Sequence, residues 1–325
     1  MRYTLLCVVL SLPAVAGAQS SAKEWLDKMS NAVHALNYEG TFVFMRGGQT
    51  EAMHIIHGKD GEGIRERLVS LTGDKREVIR DQGVLTCILA NTRSVVVETN
   101  QSRHSLPATL PMSTEEFAEH YTFELGEKGR FADRECQYAI IEPRDALRYG
   151  YRLCMELDTG LLLKSEMLDA SGQSVESFMF TNLTLHDSIP SQRFQPTLDS
   201  DTYTWHTVGA HEPSLGLEPD LSWQFADLPQ GFAVRENVKR AIAASPLPVQ
   251  HMIVSDGLAS VSVFIATAPA GAADGDVSES ASRSGALHAY IRFMNDHQVT
   301  VVGEVPEQTV KLIGRSLAYN VAANN

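Results

Sequence analysis

The sequence predicts an α+β protein of two domains, mostly antiparallel strand, and three observations predict it. A helical stripe opens the chain; strand-length runs separated by glycine and Asp/Asn turns follow from Gly40 to Leu185; and a second set of runs with its own terminal helix comes after a proline-bearing connector. A chain of 325 residues also exceeds what one hydrophobic core usually supports. The boundaries read as residues 1–18, a signal peptide; 19–200, the N-terminal domain; 201–220, a linker; and 221–325, a smaller α+β domain.

The signal peptide is read from Arg2, the apolar run Leu5 to Leu12, the helix-breaking Pro13 and the small residues Ala16-Gly17-Ala18, with cleavage expected between Ala18 and Gln19. That run is too short to span a bilayer, which takes about 20 apolar residues, and no later stretch is long and apolar enough. Cys7 lies inside the run and no cysteine follows the cleavage point, so a lipid anchor is not expected. The expected destination is outside the cytoplasm, with no membrane span in the mature chain.

Next comes a helix, with Ser21 and Glu24 as a capping box and Trp25, Met29, Val33 and Leu36 at helical spacing. Strands are expected at 41–46, 52–57, 64–71, 75–80 and 84–89, broken at Gly47-Gly48, Gly58 to Gly63, Gly73-Asp74 and Gln82-Gly83. Residues 91–112 read as a polar loop, and a second capping box, Ser113 to Glu116, as the start of a short helix ending near Tyr121. Strands resume at 136–142, 148–157, 161–168 and 175–185, giving the first domain about nine strands and two helices. A twisted sheet of that size tends to curl, and the helical stripe would fill its concave side. The connector runs from Asp187 to Pro219. Beyond it, strands are expected at 232–238, 249–254, 259–266, 286–293 and 298–302, a flexible loop between Pro269 and Gly285, and a helix after Pro306.

Three cysteines remain after cleavage. Cys136 and Cys154 are equidistant from a turn centred on residue 145, so they are expected to face each other and form a disulfide, which an oxidising compartment would preserve. Cys87 is left as a buried thiol.

Composition excludes one partner class. Forty acidic against 27 basic residues give a formal charge of −13, the wrong sign for a nucleic-acid binder. The search for chemistry is equally unproductive. Asp158-Thr159-Gly160 matches the aspartic-protease triplet, but that reaction needs two carboxylates sharing a proton and the chain has no second copy. A tight turn explains it better. His54 and His57, three apart in a strand, point to opposite faces and cannot chelate one ion. No HExxH, CxxC, Walker loop or G-x-S-x-G is present. No catalytic residue, metal ligand or cofactor is therefore expected, and the protein is not expected to be an enzyme.

One binding feature remains. The run Thr41-Phe42-Val43-Phe44-Met45 is apolar on both faces, and Phe178-Met179-Phe180 repeats the pattern. Such strands are covered on both sides, here by the helix and the second domain, or else line a greasy cavity. Phe42, Phe44, Phe178 and Phe180 are the candidate residues of that apolar groove.

Five runs resemble MucB/RseB proteins: RERLVSLTGDKREVIRD from Arg65, PRDALRYGYRLCMELDTGLLLKSEMLDASGQSVESFMF from Pro143, WQFADLPQGF from Trp223, SDGLASVSVFI from Ser255 and VTVVGEVPEQT from Val299. The resemblance covers both domains in order. It implies an open antiparallel half-barrel of LolA/LolB type followed by a smaller α+β domain. It also implies a periplasmic negative regulator of envelope-stress signalling. Such a protein binds the periplasmic region of a single-span anti-sigma factor of the MucA/RseA type, shields it from the site-1 protease that starts regulated intramembrane proteolysis, and releases it in response to lipid or lipopolysaccharide signals. The alternative is a periplasmic lipid or lipoprotein carrier of LolA type. The family brings no catalytic residues with it.

Overall fold

The computed structural model describes residues 15–99, 115, 117–208, 218–240, 247–268 and 279–320. The core of the expected signal peptide, residues 100–112 of the expected loop and the capping pair Ser113 and Glu116 lie outside them, as do 209–217 of the connector and 269–278 of the expected flexible loop.

The first helix, α1 (Val15–Ala35), begins before Ser21, so the expected capping box sits inside the helix, and the helix runs straight through Ala18 and Gln19. Ala16 and Ala18 are strong helix formers, so the residues ahead of Ser21 extend the helix although Gly17 disfavours it. Its buried stripe is Ala22, Leu26, Met29 and Val33. Trp25 packs only at the margin of the core, under the Lys28 ammonium at 4.8 Å from the ring centroid.

Twelve strands make the first sheet: β1 (Asn37–Arg46), β2 (Gln49–Asp60), β3 (Gly63–Ser70), β4 (Arg76–Asp81), β5 (Val84–Leu89), β6 (Ser94–Thr99), β7 (Tyr121–Phe131), β8 (Arg134–Pro143), β9 (Gly150–Glu156), β10 (Leu162–Leu168), β11 (Ser174–His186) and β12 (Thr204–Val208). Their order is β12-β6-β5-β4-β3-β2-β1-β11-β10-β9-β8-β7. Every pairing is antiparallel except β12 on β6. The sheet curls enough to bring β7 back against β11, four places along the order, and α1 lies across the concavity against β7 and β8.

Three strands depart from expectation. β6 lies in the expected loop: its three consecutive valines do not alternate, and one of them, Val95, is fully buried. β7 follows the expected helix, in a stretch where no element is expected, and the described end of that helix is a turn instead. Phe117 to His120 form a turn, with the His120 amide bonded to the Phe117 carbonyl at 3.0 Å, and β7 starts at Tyr121. β12 falls inside the expected linker and extends the N-terminal sheet beyond residue 200. The segment before it is a strap across the convex face, not a free connection. Phe194 is buried over Gly58, Arg65 stacks on it at 5.0 Å, and the Thr197 amide donates to the buried Glu77 carboxylate at 2.8 Å.

The disulfide joins Cys136 to Cys154 with Cα atoms 5.4 Å apart, but not in the expected register. Cys136 stands opposite Glu156 and Cys154 opposite Tyr138, so the bond crosses the ladder diagonally. The connection after Pro143 is one step off-centre from the turn assumed, which shifts every opposed pair by two.

The C-terminal domain has a two-stranded sheet, β13 (Trp223–Phe225) with β20 (Leu317–Tyr319), and a six-stranded one. The latter contains β14 (Ala233–Arg240), β15 (Val249–Ser255), β16 (Ser260–Thr267), β17 (Glu279–Ser284), β18 (Leu287–Met294) and β19 (His297–Gly303), in the order β14-β15-β16-β19-β18-β17. One face packs under α2 (Glu307–Ser316) through Val261, Val263, Val299, Val301, Val310 and Ile313. β17 occupies the end of the stretch expected to be a loop; every residue in it is exposed, so no apolar alternation announced it. The molecule is mostly strand with few helices.

Candidate functional site

The four phenylalanines come together on the inner face of the first sheet. Register places Phe42 opposite Phe180 and Phe44 opposite Phe178. The Phe42 and Phe178 rings are 4.9 Å apart and those of Phe178 and Phe180 5.1 Å, at a tilt and edge to face respectively. Phe180 lies over the backbone of Gly40, where a Cβ would come within 2.9 Å of its ring, so only glycine admits this packing. Phe42, Phe178 and Phe180 are 3, 1 and 1% exposed, and this part of the expected groove is therefore filled core. Phe44 is only partly buried and carries the Arg46 guanidinium 5.2 Å above its ring. On the opposite face of β1 Val43 is half-buried and Met45 is 44% exposed.

A less buried apolar row lies farther along the same face. Register aligns Ile55, Leu68, Val78, Cys87 and Val96 in one row across β2 to β6. Ile55 and Leu68 are buried against the core, whereas Val78, Cys87 and Val96 are half-buried. Burial pushes the Cys87 thiol pKa up, with Arg76 acting against it. Cys87 is thus a weakly reactive thiol in an apolar lane. Sequence periodicity could not show this row, because it forms only when five strands are set in register.

Beside the lane runs a buried polar row. The His57 Nδ1–H donates to Glu66 Oε1 at 3.0 Å, and Arg80 meets Glu66 Oε2 at 2.9 Å. Tyr38 stacks on the imidazole at 4.7 Å, and burial, followed by the Glu66 charge, lifts its phenol far above the usual range. His54 points to the other face and bonds Glu39 at 3.0 Å. No group of three or more His, Cys, Asp or Glu that could hold a metal ion occurs among the described residues. Asp158-Thr159-Gly160 is a turn closing β9 onto β10: both the Thr159 amide and hydroxyl donate to Glu156 Oε2, and Gly160, at φ +80°, lets Lys28 of α1 pass close by. Lys28 then donates to the Leu157 carbonyl at 2.8 Å, docking the turn on the helix.

The second region is the junction between the domains. Arg148 and Asp256, 1 and 0% exposed, form an ion pair across it. Asp256 Oδ2 also accepts from the Tyr121 hydroxyl at 3.2 Å, and its Oδ1 accepts from the amides of Leu258 at 2.9 Å and Ala259 at 2.7 Å. Arg148 donates in addition to Asp145 and to the Gln230 carbonyl, and its guanidinium lies 4.7 Å from the Phe232 ring centroid. Burial, then the Asp256 charge, raises the Tyr121 phenol well beyond its ordinary value, so it stays a donor. Arg46 bridges Glu176 and Glu304, each at 2.7 Å, and the first turn of α2 bonds the carbonyls of Ala146 and Leu147. Sequence reasoning missed Arg148 and Asp256 because Asp256-Gly257 reads locally as a turn and Arg148 as the start of a strand.

Two domains so arranged have known counterparts. A model described as the MucB/RseB N-terminal domain matches residues 21–198, and one described as the MucB/RseB C-terminal domain matches residues 218–318. The chain belongs to the MucB/RseB family. It is 31% identical to the sigma factor AlgU regulatory protein MucB of Pseudomonas aeruginosa, over 99% of either chain. Among solved structures, the Pseudomonas aeruginosa MucA/MucB complex matches with TM-score 0.72 and 28% identity, over 93% of this chain and 99% of the other. A crystal structure of MucB matches with TM-score 0.60 and 27% identity, over 93% and 98%. This MucB/RseB chain therefore shares with these relatives both domains in the same order, and its family is regulatory.

Proposed function

We propose that this protein is a periplasmic negative regulator of envelope-stress sigma-factor signalling. It is exported by a signal peptide cleaved between Ala18 and Gln19, binds the periplasmic region of a single-span anti-sigma factor of the MucA/RseA type, and shields that region from site-1 proteolysis. The observation that carries this reading is end-to-end similarity, over both domains, to a protein named as a regulator of AlgU. The solved MucA/MucB complex supports the same partner class. In this reading the curled first sheet serves as a LolA/LolB-like half-barrel, and no catalytic chemistry is assigned to the chain.

The half-buried row Val78, Cys87 and Val96 favours a lipid or lipopolysaccharide-type signal on the inner face, since a partly accessible apolar row suits an acyl chain. The same lane favours the second reading, a LolA-type carrier, which would need the lipid but not the anti-sigma factor. Titrating the mature protein with the periplasmic segment of a MucA-type anti-sigma factor, with and without site-1 protease, tests the two. The regulator binds and slows cleavage. Absence of binding, with lipid retained, leaves the carrier.

A further inference from the structure

We infer that Arg148 is a positioning residue: paired with Asp256, it locks the two domains at the one angle in which the protein takes up its peptide partner. This rests on the anti-sigma reading above and adds the residue that controls it.

Both side chains are wholly buried, one from each domain. Taking two charges out of water is costly, and their attraction offsets that cost only when the remaining donors and acceptors are also satisfied. Here they are: Asp256 accepts from Arg148, the Tyr121 hydroxyl and two backbone amides, while Arg148 also donates to Asp145 and to the Gln230 carbonyl. A fully satisfied buried network adds little net attraction but admits one geometry. The apolar part of the junction is a cluster of Tyr149, Met167 and Ala286 flanked by Tyr151 and Val175, with Leu258 packed against the core of the first domain. Apolar contact is non-directional and would tolerate a range of angles. The directional bonds at Arg148 do not.

A junction of this kind can open without great electrostatic penalty, because both charges regain water when the domains part. It therefore meets the physical requirement for a two-state element, a closed arrangement of defined geometry against a solvated open one. The MucB/RseB comparison supplies the second observation. At nearly equal coverage and identity, this chain matches the MucA/MucB complex at TM-score 0.72 and the crystal structure of MucB at 0.60. The structure in which Arg148 and Asp256 are paired is thus more similar as a whole to the complex than to that structure of MucB. If the partner binds the closed state better, the lock and the partner stabilise each other through linkage.

The test uses the mature two-domain protein. In R148M, circular dichroism should keep the wild-type spectrum, small-angle X-ray scattering should show a larger radius of gyration, and calorimetric affinity for the periplasmic segment of a MucA-type anti-sigma factor should fall about 5- to 150-fold, the usual span of such coupling. R148K, which keeps the charge but loses the fork, should recover part of the loss. A role in stability alone would lower the melting temperature and leave both scattering and affinity of the folded protein unchanged, which overturns the inference. Altered scattering with unchanged affinity overturns it too, as does reduced affinity with unchanged scattering, since Arg148 would then be touching the partner. If R148M does not fold, Y121F removes a single bond to Asp256 and should move both readouts the same way by less; a folded Y121F with neither changed is equally fatal. Failure of the wild-type protein to bind the segment would sink the proposed function instead, while the scattering comparison would still decide whether the lock exists.

Discussion

The two ends of the twelve-stranded sheet are built from similar strands and come out differently. At the β7 to β11 end, α1 lies across the inner face, and Phe123, Ile141, Leu153, Leu163, Phe178 and Phe180 are sealed beneath it. At the β4 to β6 end, the corresponding inward residues Val78, Cys87 and Val96 are only half-buried. Alternation of apolar and polar residues fixes which side chains face inward, but only the position of the helix decides which inward face is core and which is available surface.

The largest expected effect breaks the packed end. Phe178→Ala should destabilise the protein by about 3–5 kcal/mol in urea unfolding, as aromatic truncation in a sealed core does. Val78→Ala, in the open lane, should cost only about 1 kcal/mol, because its methyl groups are already partly hydrated. Equal costs would mean that the lane is core and the contrast between the two ends is false.

The cysteines sharpen the same comparison. Cys136 and Cys154, both fully buried, lie in the packed end, and Cys87 in the open one. Replacing the pair by alanine should cost roughly 3 kcal/mol on the loop-entropy account of cross-links. Non-reducing peptide mapping of protein taken from the periplasm should find Cys136 joined to Cys154, and Cys87 alkylated more slowly than an unhindered thiol. Recovery of Cys87 in a disulfide would contradict both assignments.

The smallest effect concerns pH at the junction. Burial, then the neighbouring Glu176 charge, raises the Glu304 carboxyl pKa above the ordinary glutamate value, and Arg46 only partly opposes this. The folded protein therefore holds the Glu304 proton more tightly than the unfolded chain. That contribution to stability is fully present below the ordinary glutamate pKa and is lost as pH rises through the raised value. Melting temperatures measured across mildly acid pH should show this decline, and E304Q should flatten it; a wild-type profile identical to that of E304Q would remove Glu304 as its source.

Much of this was legible in the chain. Gly47-Gly48 and Gln82-Gly83 gave two hairpins whose turns need positive φ, and the runs around them became β1, β2, β4 and β5 within a few residues. The terminal helix after Pro306 and the pairing partners Cys136 and Cys154 were equally plain, and the quoted runs carried the family. What failed were elements without local alternation: β6 with its valine run, the exposed β17, and β12, whose short polar-looking stretch becomes a strand only by joining β6. Local pattern reports burial on one face, and an element defined by its neighbour leaves no such trace.

The sequence by itself determined the strand faces, the turns, the absence of recognisable catalytic motifs and the membership of a family, because each depends on residue type at short spacing. Tertiary structure alone decided that Phe42, Phe178 and Phe180 fill a core, that Val78, Cys87 and Val96 form a lane, and that Arg148 finds Asp256. Those two charges lie 108 residues apart in the chain. Their meeting follows from how the two domains dock, and no periodicity within either domain encodes it.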